Sequence, residues 1–321
     1  MKILVTGVAG FIGYYVSLEL LKKNYQIVGI DNLNNYYDIS LKKDRLSQLK
    51  QFSNFQFNQI DISNHKRISQ LFKYHKFNKI LHLAAQAGVQ YSIVNPDSYV
   101  NSNLVGFFNI LNNSIKHNIS HLIYASSSSV YGLNKSYPFK ESLNCSSPLS
   151  FYAATKISNE AMAHSYSNIY GIETTGLRFF TVYGPYGRPD MSPFIFADAI
   201  INNKKIKIYN KGKLKRDFTY IDDAVNATLL ILMGNKRKSK VKSKIYNIGS
   251  NAPISILRFI NLFEKFLNKS GKLIFKPLLK GDISETFSDI SAIYKDYGYV
   301  PKISVSKGVE KFINWYKDYY Q

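Results

Sequence analysis

The amino-acid sequence predicts an α/β fold, in which a doubly wound parallel sheet is joined to a smaller C-terminal lobe. Short apolar runs of strand length alternate with helix-length segments through the first half of the 321-residue chain. These runs are apolar throughout, as expected for parallel strands that are covered by helices on both faces. After about residue 180, six prolines separate shorter elements, which indicates a second lobe built from separate segments.

The predicted strands and helices follow one another in strand–helix order. Right-handed crossovers between such parallel strands make the sheet doubly wound. The strand-like runs cover residues 3–5, 27–30, 80–83, 121–124 and 175–178, and the helix-length segments cover residues 14–23, 68–74, 102–116 and 151–170. We therefore expect one domain over residues 1–180, to which later segments return, and a second lobe over residues 181–321.

Cysteine usage and hydropathy bear on compartment. Cys145 is the only cysteine, which rules out an internal disulfide or a cysteine-cluster metal site and fits a reducing compartment. We therefore expect a cytoplasmic protein. The apolar stretch at residues 227–233 is far shorter than the ~20 residues that span a bilayer, so no membrane segment is expected. No two of the six histidines lie four residues apart within one predicted helix, so no metal site is expected.

The chain is strongly basic, with 42 Lys and Arg against 21 Asp and Glu and a formal net charge of +21. Such a charge raises the question of nucleic-acid binding. The excess, however, is mostly lysine spread along the chain, and no helix-turn-helix, zinc-finger or RNA-recognition signature accompanies it. The basic run at residues 236–240 is expected to be an exposed loop. A basic surface also attracts polyanionic metabolites, so the charge does not identify a partner.

A glycine motif follows the first predicted strand and opens the first predicted helix. Gly7, Gly10 and Gly13 give the spacing G-x-x-G-x-x-G. Glycines permit a tight turn that brings backbone amides and a helix N-terminus close to a pyrophosphate. Asp31 lies 18 residues after Gly13, where a carboxylate can accept hydrogen bonds from the adenosine ribose and would repel a 2′-phosphate. The pattern therefore predicts NAD rather than NADP.

Two more strand ends add candidates to the NAD site. Asp61 and Ile62 end a further run that should be the third strand, so that the runs at 80–83 and 121–124 are the fourth and fifth. A carboxylate at residue 61 could meet the adenine amino group. Small residues follow the fourth strand and let the backbone pass close to a cofactor; ordinary strand-end chemistry is the alternative explanation for both. The candidate cofactor-binding residues are Gly7, Gly10, Phe11, Ile12, Gly13, Asp31, Asn32, Asp61, Ile62, Leu83, Ala84 and Ala85.

The residues that could carry chemistry are a tyrosine and a lysine one helical turn apart. Tyr152 and Lys156 share one face of a predicted helix, and serines 126–129 follow the fifth strand. A phenol that acts as a base near pH 7 must lower its pKa of about 10 by ~3 units, whereas one nearby cation gives ~1–3 units. The positive ring of oxidised NAD would supply the remainder. The alternative is an exposed tyrosine beside an exposed lysine.

Taken together, these motifs resemble an extended short-chain dehydrogenase/reductase, and more narrowly a nucleotide-sugar epimerase. The resemblance runs nearly end to end. It rests on the glycine motif and residues 31–34, 130–132, 152–156, 178–185 and 216–223. Residues 31–38 and 187–191 most resemble UDP-glucuronate 4-epimerases. The resemblance implies a Rossmann-like domain with tightly held NAD, a lobe that binds a UDP-sugar, and a homodimer.

The resemblance also implies roles for individual residues. Tyr152 would be the base, Lys156 would tune it and hold the nicotinamide ribose, and Ser127 would hydrogen-bond the sugar oxygen. The rival or supporting hydroxyls are Ser126, Ser128 and Thr181. The implied substrate-binding residues are Arg188, Arg216, Thr181 and Asp282. Arg216 would bind the diphosphate, and Arg188 would hold a substrate carboxylate unless it pairs with Asp190.

The predicted reaction is reversible 4-epimerisation of UDP-glucuronate to UDP-galacturonate through a transient 4-keto sugar. Gln90 stands where glucuronate epimerases usually carry arginine, so a cation near the substrate is missing. Because the 4-keto intermediate is a β-keto acid, a UDP-glucuronate decarboxylase is one alternative, and a UDP-glucose/UDP-galactose 4-epimerase is another. A non-catalytic protein that senses a dinucleotide is the alternative from a different class.

Overall fold

The structure, a computed structural model, describes residues 1–234, 242–279, 281 and 283–321. Its strands are β1 (Lys2–Thr6), β2 (Gln26–Asp31), β3 (Phe55–Gln59), β4 (Lys79–His82), β5 (His121–Ser127), β6 (Glu173–Phe179), β7 (Thr181–Tyr183), β8 (Lys205–Tyr209), β9 (Lys215–Tyr220), β10 (Ser243–Ile248), β11 (Pro253–Ser255) and β12 (Lys272–Lys276). Its helices are α1 (Phe11–Lys22), α2 (Ile39–Leu49), α3 (His65–Tyr74), α4 (Tyr91–Val94), α5 (Pro96–Tyr99), α6 (Phe107–Lys116), α7 (Phe151–Tyr170), α8 (Ser192–Ile201), α9 (Ile221–Met233), α10 (Ile256–Leu267), α11 (Ser291–Tyr297) and α12 (Val305–Tyr320). Within the described ranges, no helix combines the length and the apolar character that a membrane span requires.

A seven-stranded sheet carries the fold, in the order β10-β6-β5-β4-β1-β2-β3. Strand β1 pairs in parallel with both β2 and β4, β2 with β3, and β4 with β5. The chain leaves β1 in one direction through β2 and β3 and returns on its other side at β4. Ligands of such sheets bind where the strand order reverses, outside the carboxyl ends of the strands. The predicted doubly wound α/β fold is confirmed.

The described residues divide into two compact units. The first contains Met1–Asn134, Leu143–Arg178 and Thr228–Tyr246, and the second contains Lys135–Ser142, Phe179–Ala227 and Asn247–Gln321. In the first unit, a buried apolar cluster packs the sheet residues Leu4 and Ile80 against Phe72 of α3 and Leu111 of α6. Burial of these side chains is the main favourable term that holds helices to a sheet.

The second unit has two small sheets, ordered β11-β9-β7 and β12-β8, and an aromatic core. Phe218 of β9 stacks on Phe259 of α10 with ring centres 3.8 Å apart, and Phe263 and Phe312 extend the contact along α10 and α12. The segment 135–142 belongs here because Phe139 donates its backbone N–H to Phe287 and accepts one from Asp289.

Helix α7 has the bounds that the sequence predicts, residues 151–170. The Ser150 side chain accepts a hydrogen bond from the Ala153 N–H and caps the helix, and Gly171 ends it with φ of 72°. The helix predicted over residues 102–116 begins differently, because Val100–Gly106 forms a wider π-helical turn before α6. Gly106 lies so close to Ile62 that a Cβ there would meet its Cγ1 at 2.5 Å.

Candidate active site

The glycine motif forms a turn that has no room for side chains. Gly7 has φ of +69°, and a Cβ on it would lie 2.7 Å from the Ala84 nitrogen. A Cβ on Gly13 would lie 2.2 Å from the Gly7 oxygen. Gly10, directly before α1, has no side chain with which to cap the first turn of the helix. A tight turn that leads into a bare helix N-terminus fits the pyrophosphate of NAD.

Asp31 ends β2 beside this turn and is buried. Its carboxylate accepts hydrogen bonds from the N–H of Leu33 at 2.9 Å and of Ala9 at 3.2 Å. Burial raises the pKa of Asp31, and the positive charges of Lys42 and Arg45, with these two hydrogen bonds, act in the opposite direction. Each carboxylate oxygen can accept more than one hydrogen bond, so Asp31, at the end of β2, fits the ribose contact that the sequence predicts.

Two buried cations on α2 flank Asp31, and sequence reasoning missed them. Lys42 Nζ donates to the backbone oxygen of Asn34 at 2.9 Å and to its Oδ1 at 2.8 Å. Arg45 Nη1 donates to the Ala9 oxygen and to the Tyr37 hydroxyl, each at 2.8 Å. The Lys-x-x-Arg spacing, which places both on one face of the helix, is the signal that could have revealed them. The positive charges of Lys42 and Arg45 would attract the 2′-phosphate of NADP, so the repulsion that disfavours NADP comes from the Asp31 carboxylate.

Replacing Asp31 should therefore change cofactor preference. We expect Asp31→Asn to raise the ratio of NADP to NAD affinity by ~10-fold or more, because repulsion of a 2′-phosphate disappears while Lys42 and Arg45 remain. Calorimetric titration of cofactor-free protein with each dinucleotide measures both affinities. Asp38→Asn, in the same segment but exposed, is the matched control and should leave the ratio unchanged. An unchanged ratio in Asp31→Asn would refute this role.

The segments that follow β2 and β3 are joined by a hydrogen bond. Strand β3 ends at Gln59, so the prediction that Asp61 and Ile62 end this strand is wrong, and both residues lie in the segment after it. Asn32 Nδ2 donates to Asp61 Oδ2 at 2.8 Å. Burial acts to raise the pKa of Asp61, but hydrogen bonds from Ser63 and Asn32 outweigh it and lower that pKa. Asp61 is thus held as an ionised acceptor. Ile62, which follows it, accepts a hydrogen bond at its backbone oxygen from Asn109 Nδ2 at 2.9 Å.

Thr6 joins β1 to the loop after β4. Its hydroxyl accepts from the N–H groups of Leu83 at 3.2 Å and Ala84 at 3.1 Å, and lies 2.7 Å from His82 Nδ1. Burial, with the charge of Lys156, lowers the pKa of His82 to about 3, so this ring is neutral. His82 is therefore a hydrogen-bonded core residue, and Leu83 and Ala84 pass directly beside Gly7.

Tyr152 and Lys156 lie on α7 as predicted. Lys156 Nζ is 5.9 Å from the centre of the Tyr152 ring and donates to the Ala125 oxygen at 2.9 Å. Lys156 is only 4% exposed, and burial lowers its pKa to about 8, against the opposing effect of the Glu160 carboxylate. The Tyr152 ring packs edge-on against Tyr99 at 6.0 Å. A buried ammonium one turn from a phenol is the arrangement that favours the phenolate.

The serine run is divided between strand and turn. Ser126 and Ser127 are the last residues of β5, and Ser128 begins a short 3₁₀ turn; the sequence predicts that the strand ends earlier. Ser127 Oγ lies 3.2 Å from Ser129 Oγ and accepts from the Ser129 N–H at 3.2 Å. Ser126 Oγ donates to Glu160 Oε1 at 2.5 Å. The Ser126 proton is thus engaged by a carboxylate, while Ser127 is held by its own turn.

Asn103, in the π-helical turn, is a further residue that the sequence analysis missed. Its side chain accepts from the Gln86 N–H at 2.8 Å and donates to the Gln86 oxygen at 3.0 Å and to Thr155 Oγ1 at 3.1 Å. Its backbone oxygen accepts from Asn159 Nδ2 at 2.6 Å. Asn103 therefore fixes the loop after β4 to the α7 turn that carries Tyr152. A polar residue inside a predicted amphipathic helix is the signal that could have indicated it.

The remaining predicted substrate residues belong to the second unit. Thr181 begins β7 and pairs with Phe218. Arg216 lies on β9, and its Nη1 donates to the backbone oxygens of Lys215 at 2.9 Å and Ser284 at 3.3 Å. Asp282 lies outside the described residues, as does the basic run 236–240.

Arg188 adopts the alternative that the sequence left open. Its Nε donates to Asp190 Oδ1 at 3.0 Å and its Nη2 to Asp190 Oδ2 at 2.5 Å, so the guanidinium is paired side-on with that carboxylate. A substrate carboxylate that binds Arg188 would compete with this ion pair.

Within the described part of the chain, no three His, Cys, Asp or Glu side chains are arranged to hold a metal ion.

Comparison with known proteins decides the family. Residues 3–249 match the NAD dependent epimerase/dehydratase family. The chain belongs to this family. It is 46% identical to Protein CapI of Staphylococcus aureus, with 100% of both chains covered, and 42% identical to UDP-glucuronate 4-epimerase 6 of Arabidopsis thaliana, with 100% of this chain and 72% of that one covered. The solved UDP-glucuronic acid 4-epimerase of Bacillus cereus, in complex with UDP-glucuronic acid and NAD, is 36% identical over 100% of both chains, with a TM-score of 0.93.

These relationships confirm several predictions. The fold is that of the extended short-chain dehydrogenase/reductase epimerases, the cofactor is NAD, and the protein is an enzyme of the NAD-dependent nucleotide-sugar epimerase class. The alternative of a non-catalytic protein that senses a dinucleotide is therefore wrong. The roles predicted for individual site residues stay predictions.

Proposed function

We propose that the protein interconverts UDP-glucuronate and UDP-galacturonate by reversible epimerisation at C4 of the sugar. The observation that carries this proposal is the pair on α7, in which the buried Lys156 ammonium lies one turn from the half-buried Tyr152 phenol beside the predicted NAD site. The relatives named as UDP-glucuronate 4-epimerases support glucuronate as the sugar, as do residues 31–38 and 187–191.

In the proposed mechanism, Tyr152 takes the proton from the sugar's 4-hydroxyl and later returns it. Lys156 stabilises the Tyr152 phenolate with its positive charge. Ser127 donates a hydrogen bond to the same sugar oxygen, and Arg216 anchors the diphosphate with a guanidinium suited to bidentate contact. NAD, when bound, supplies hydride acceptance and return at C4. Binding energy from the UDP portion holds the diphosphate in place while the 4-keto sugar rotates about it and presents its opposite face.

A carboxylate at C5 makes the 4-keto intermediate prone to lose carbon dioxide. An epimerase must hold that carboxylate out of alignment with the ketone, and we assign this role to Arg188, with Ser127, Ser128 and Thr181 as supporting hydroxyls. The Arg188–Asp190 ion pair favours a second candidate function, UDP-glucuronate decarboxylation, because an engaged guanidinium is less able to hold the substrate.

Proton NMR of the products separates these functions. We expect purified protein with UDP-glucuronate to give UDP-galacturonate and to reach the same mixture from either sugar. A UDP-pentose or a UDP-4-ketopentose would show decarboxylation instead. Turnover of UDP-glucose without turnover of UDP-glucuronate would assign the protein to the galactose epimerases and contradict the proposal.

The Arg188–Asp190 ion pair leads to opposite predictions for two variants in their KM for UDP-glucuronate. We expect Arg188→Ala to raise KM for UDP-glucuronate by ~10- to 100-fold, the loss of one charge-assisted contact of ~1.5–3 kcal/mol. Asp190→Asn should lower that KM, because it frees the guanidinium from its competitor. Steady-state kinetics with UDP-glucuronate and UDP-glucose measure both effects. Equal losses on the acid and the neutral sugar would remove Arg188 from carboxylate binding.

The proposed assembly is a homodimer that forms through α6 and α7. Apolar side chains along these helices and the preceding turn are exposed, namely Val105, Phe108, Phe151 and Ile169. Exposed apolar side chains that a second copy covers would lose contact with water, and the proposal is that these side chains do so in the dimer. Analytical ultracentrifugation should give twice the 36.7 kDa chain mass. A monomer across the micromolar range would contradict the dimer.

The proposed division of labour assigns NAD binding to residues 1–180 and UDP-sugar binding to residues 181–321. The glycine turn and Asp31 support the first assignment, and Arg188 and Arg216 support the second. The cytoplasm is the proposed location, on the basis of the single cysteine.

A further inference from the structure

A buried carboxylate occupies the next turn of the helix that carries Tyr152 and Lys156. Glu160 follows Lys156 by four residues and Tyr152 by eight, so the three side chains share one face of α7. Glu160 is buried and is the only acidic residue of this helix. Its position was not among the predicted site residues.

Both oxygens of Glu160 are engaged. Oε1 accepts from Ser126 Oγ at 2.5 Å and from Arg178 Nε at 2.9 Å, and Oε2 accepts from Arg178 Nη2 at 2.8 Å. The Arg178 guanidinium in turn lies over the Tyr131 ring at 4.8 Å. One carboxylate therefore fastens α7 to the end of β5 and to β6. The fastening point is one residue from Ser127 and one turn from Lys156.

A buried ion pair of this kind is weak support for stability, because desolvation of both charges offsets their attraction. Its position suggests another purpose. Lys156 is itself fully desolvated, and burial acts to remove its charge, while the Glu160 carboxylate acts to keep it. Lys156 Nζ also donates to the Ala125 oxygen, the residue before Ser126, so the ammonium and the carboxylate are anchored to adjacent residues of β5.

Titratable groups on neighbouring elements interact with Lys156, with Glu160 or with the side chains that contact them. They are Tyr152 on α7, Tyr99 on α5, His82 on β4, Tyr124 on β5, Tyr131 and Cys145 in the segments after β5, and Arg178 on β6. His82 is neutral, with a pKa of about 3. Burial, reinforced by the Glu160 charge, raises the pKa of Tyr124, which stays neutral. Burial also raises the pKa of Cys145. Glu160 is thus the negative charge among these neighbours at neutral pH.

We propose that Glu160 is a positioning residue that keeps the buried Lys156 charged and fixes the end of β5 beside it, through its contacts with Ser126 and Arg178. Arg178 holds the carboxylate in place. This inference rests on the proposed function in one respect, namely that the epimerisation uses the positive charge of Lys156. The charge state of Lys156 itself is independent of any substrate.

The deciding measurement is therefore the titration of Lys156 by NMR. The 13Cε signal of Lys156, assigned by its loss in Lys156→Arg, should titrate near pH 8 in the unaltered protein without NAD, and each variant is compared in the same cofactor-free form. In Glu160→Gln the midpoint should fall by about one pH unit, since removal of a neighbouring opposite charge shifts a pKa by ~1–3 units. Glu160→Asp, which keeps the charge, should restore the midpoint. An unmoved midpoint in Glu160→Gln would overturn the proposal.

Glu160→Gln leaves the buried Arg178 cation without its carboxylate partner, which could unfold the protein. A second variant is therefore needed. Glu160→Gln with Arg178→Met removes both charges, and the lowered Lys156 midpoint should persist there. Glu173→Gln is the matched control. It removes a carboxylate 3.8 Å from His121 at the opposite ends of β5 and β6, and it should leave Lys156 unchanged.

The kinetic consequence is a displaced pH optimum. If UDP-glucuronate is turned over, the alkaline limb of the kcat profile in Glu160→Gln should move about one unit to lower pH, while Glu160→Asp keeps the original limb with a lower kcat. A purely structural role would reduce kcat by the same factor at every pH and would contradict the proposal. If the unaltered protein has no epimerase activity, the proposed function fails, and the Lys156 titration alone still decides this inference.

Discussion

Tyr152→Phe should lower kcat with UDP-glucuronate by ~10³-fold or more and leave the fold and NAD binding nearly intact. Removing a positioned acid–base group typically costs ~10²–10⁴ in rate. The adjacent phenol of Tyr99 donates its hydroxyl to the backbone oxygens of Ala87 and Gly88, so it does not replace the lost group. The ring itself remains to pack against Tyr99, so the loss is confined to one oxygen. Single-turnover and steady-state kinetics at pH 7 to 9 measure the effect.

Tyr170→Phe provides the matched control for this substitution. It removes the same oxygen from the same helix, but at its exposed last residue, and kcat should stay within a factor of two. Circular dichroism and calorimetric titration with NAD show whether Tyr152→Phe is folded and binds cofactor. A folded, NAD-binding Tyr152→Phe protein with most of its activity would show that Tyr152 is not the base.

Lys156→Met should lower activity at pH 7 by ~10- to 10³-fold and move the acidic limb of the kcat profile to higher pH. The sign follows from electrostatics: a positive charge favours the Tyr152 phenolate, so its removal raises the pKa of that phenol by ~1–3 units. Activity should therefore recover partly as the pH rises. The apparent values belong to the coupled Tyr152–Lys156 pair rather than to either residue.

Lys156→Arg separates charge from position. It retains the positive charge but cannot repeat the single Nζ contact with the Ala125 oxygen, so we expect a lower kcat with the acidic limb unmoved. If Lys156→Met reduces kcat equally at every pH, the lysine acts by position alone. The electrostatic part of the mechanism would then be wrong.

Local patterns were enough to predict the sheet, α7 and the glycine turn before α1. Each depends on residues close in sequence: the apolar runs, the glycines at 7, 10 and 13, and the four-residue spacing of Tyr152 and Lys156. The Ser150 cap and Gly171 stop even set the bounds of α7. Such features are encoded by periodicity and backbone freedom, which can be read without knowing the tertiary contacts.

Long-range contacts between polar side chains could not be predicted. Glu160 meets Ser126 and Arg178, which lie 34 and 18 residues away, and no spacing rule connects them. Lys42 and Arg45 had no predicted role, because charged side chains are usually exposed, yet both are buried beside Asp31. The Arg188 side chain had two open roles, and only its distance from Asp190 showed which partner it takes in this structure.

Isotope retention at the reacting carbon tests the central claim most directly. UDP-glucuronate carrying deuterium at C4 is incubated with the protein in ordinary water, and the product is examined by proton NMR and mass spectrometry. We predict UDP-galacturonate that retains the deuterium at C4, because the hydrogen removed from that carbon returns to it while only the hydroxyl proton passes through Tyr152. Product that has exchanged its label with solvent, or a decarboxylated UDP-pentose, would contradict this account.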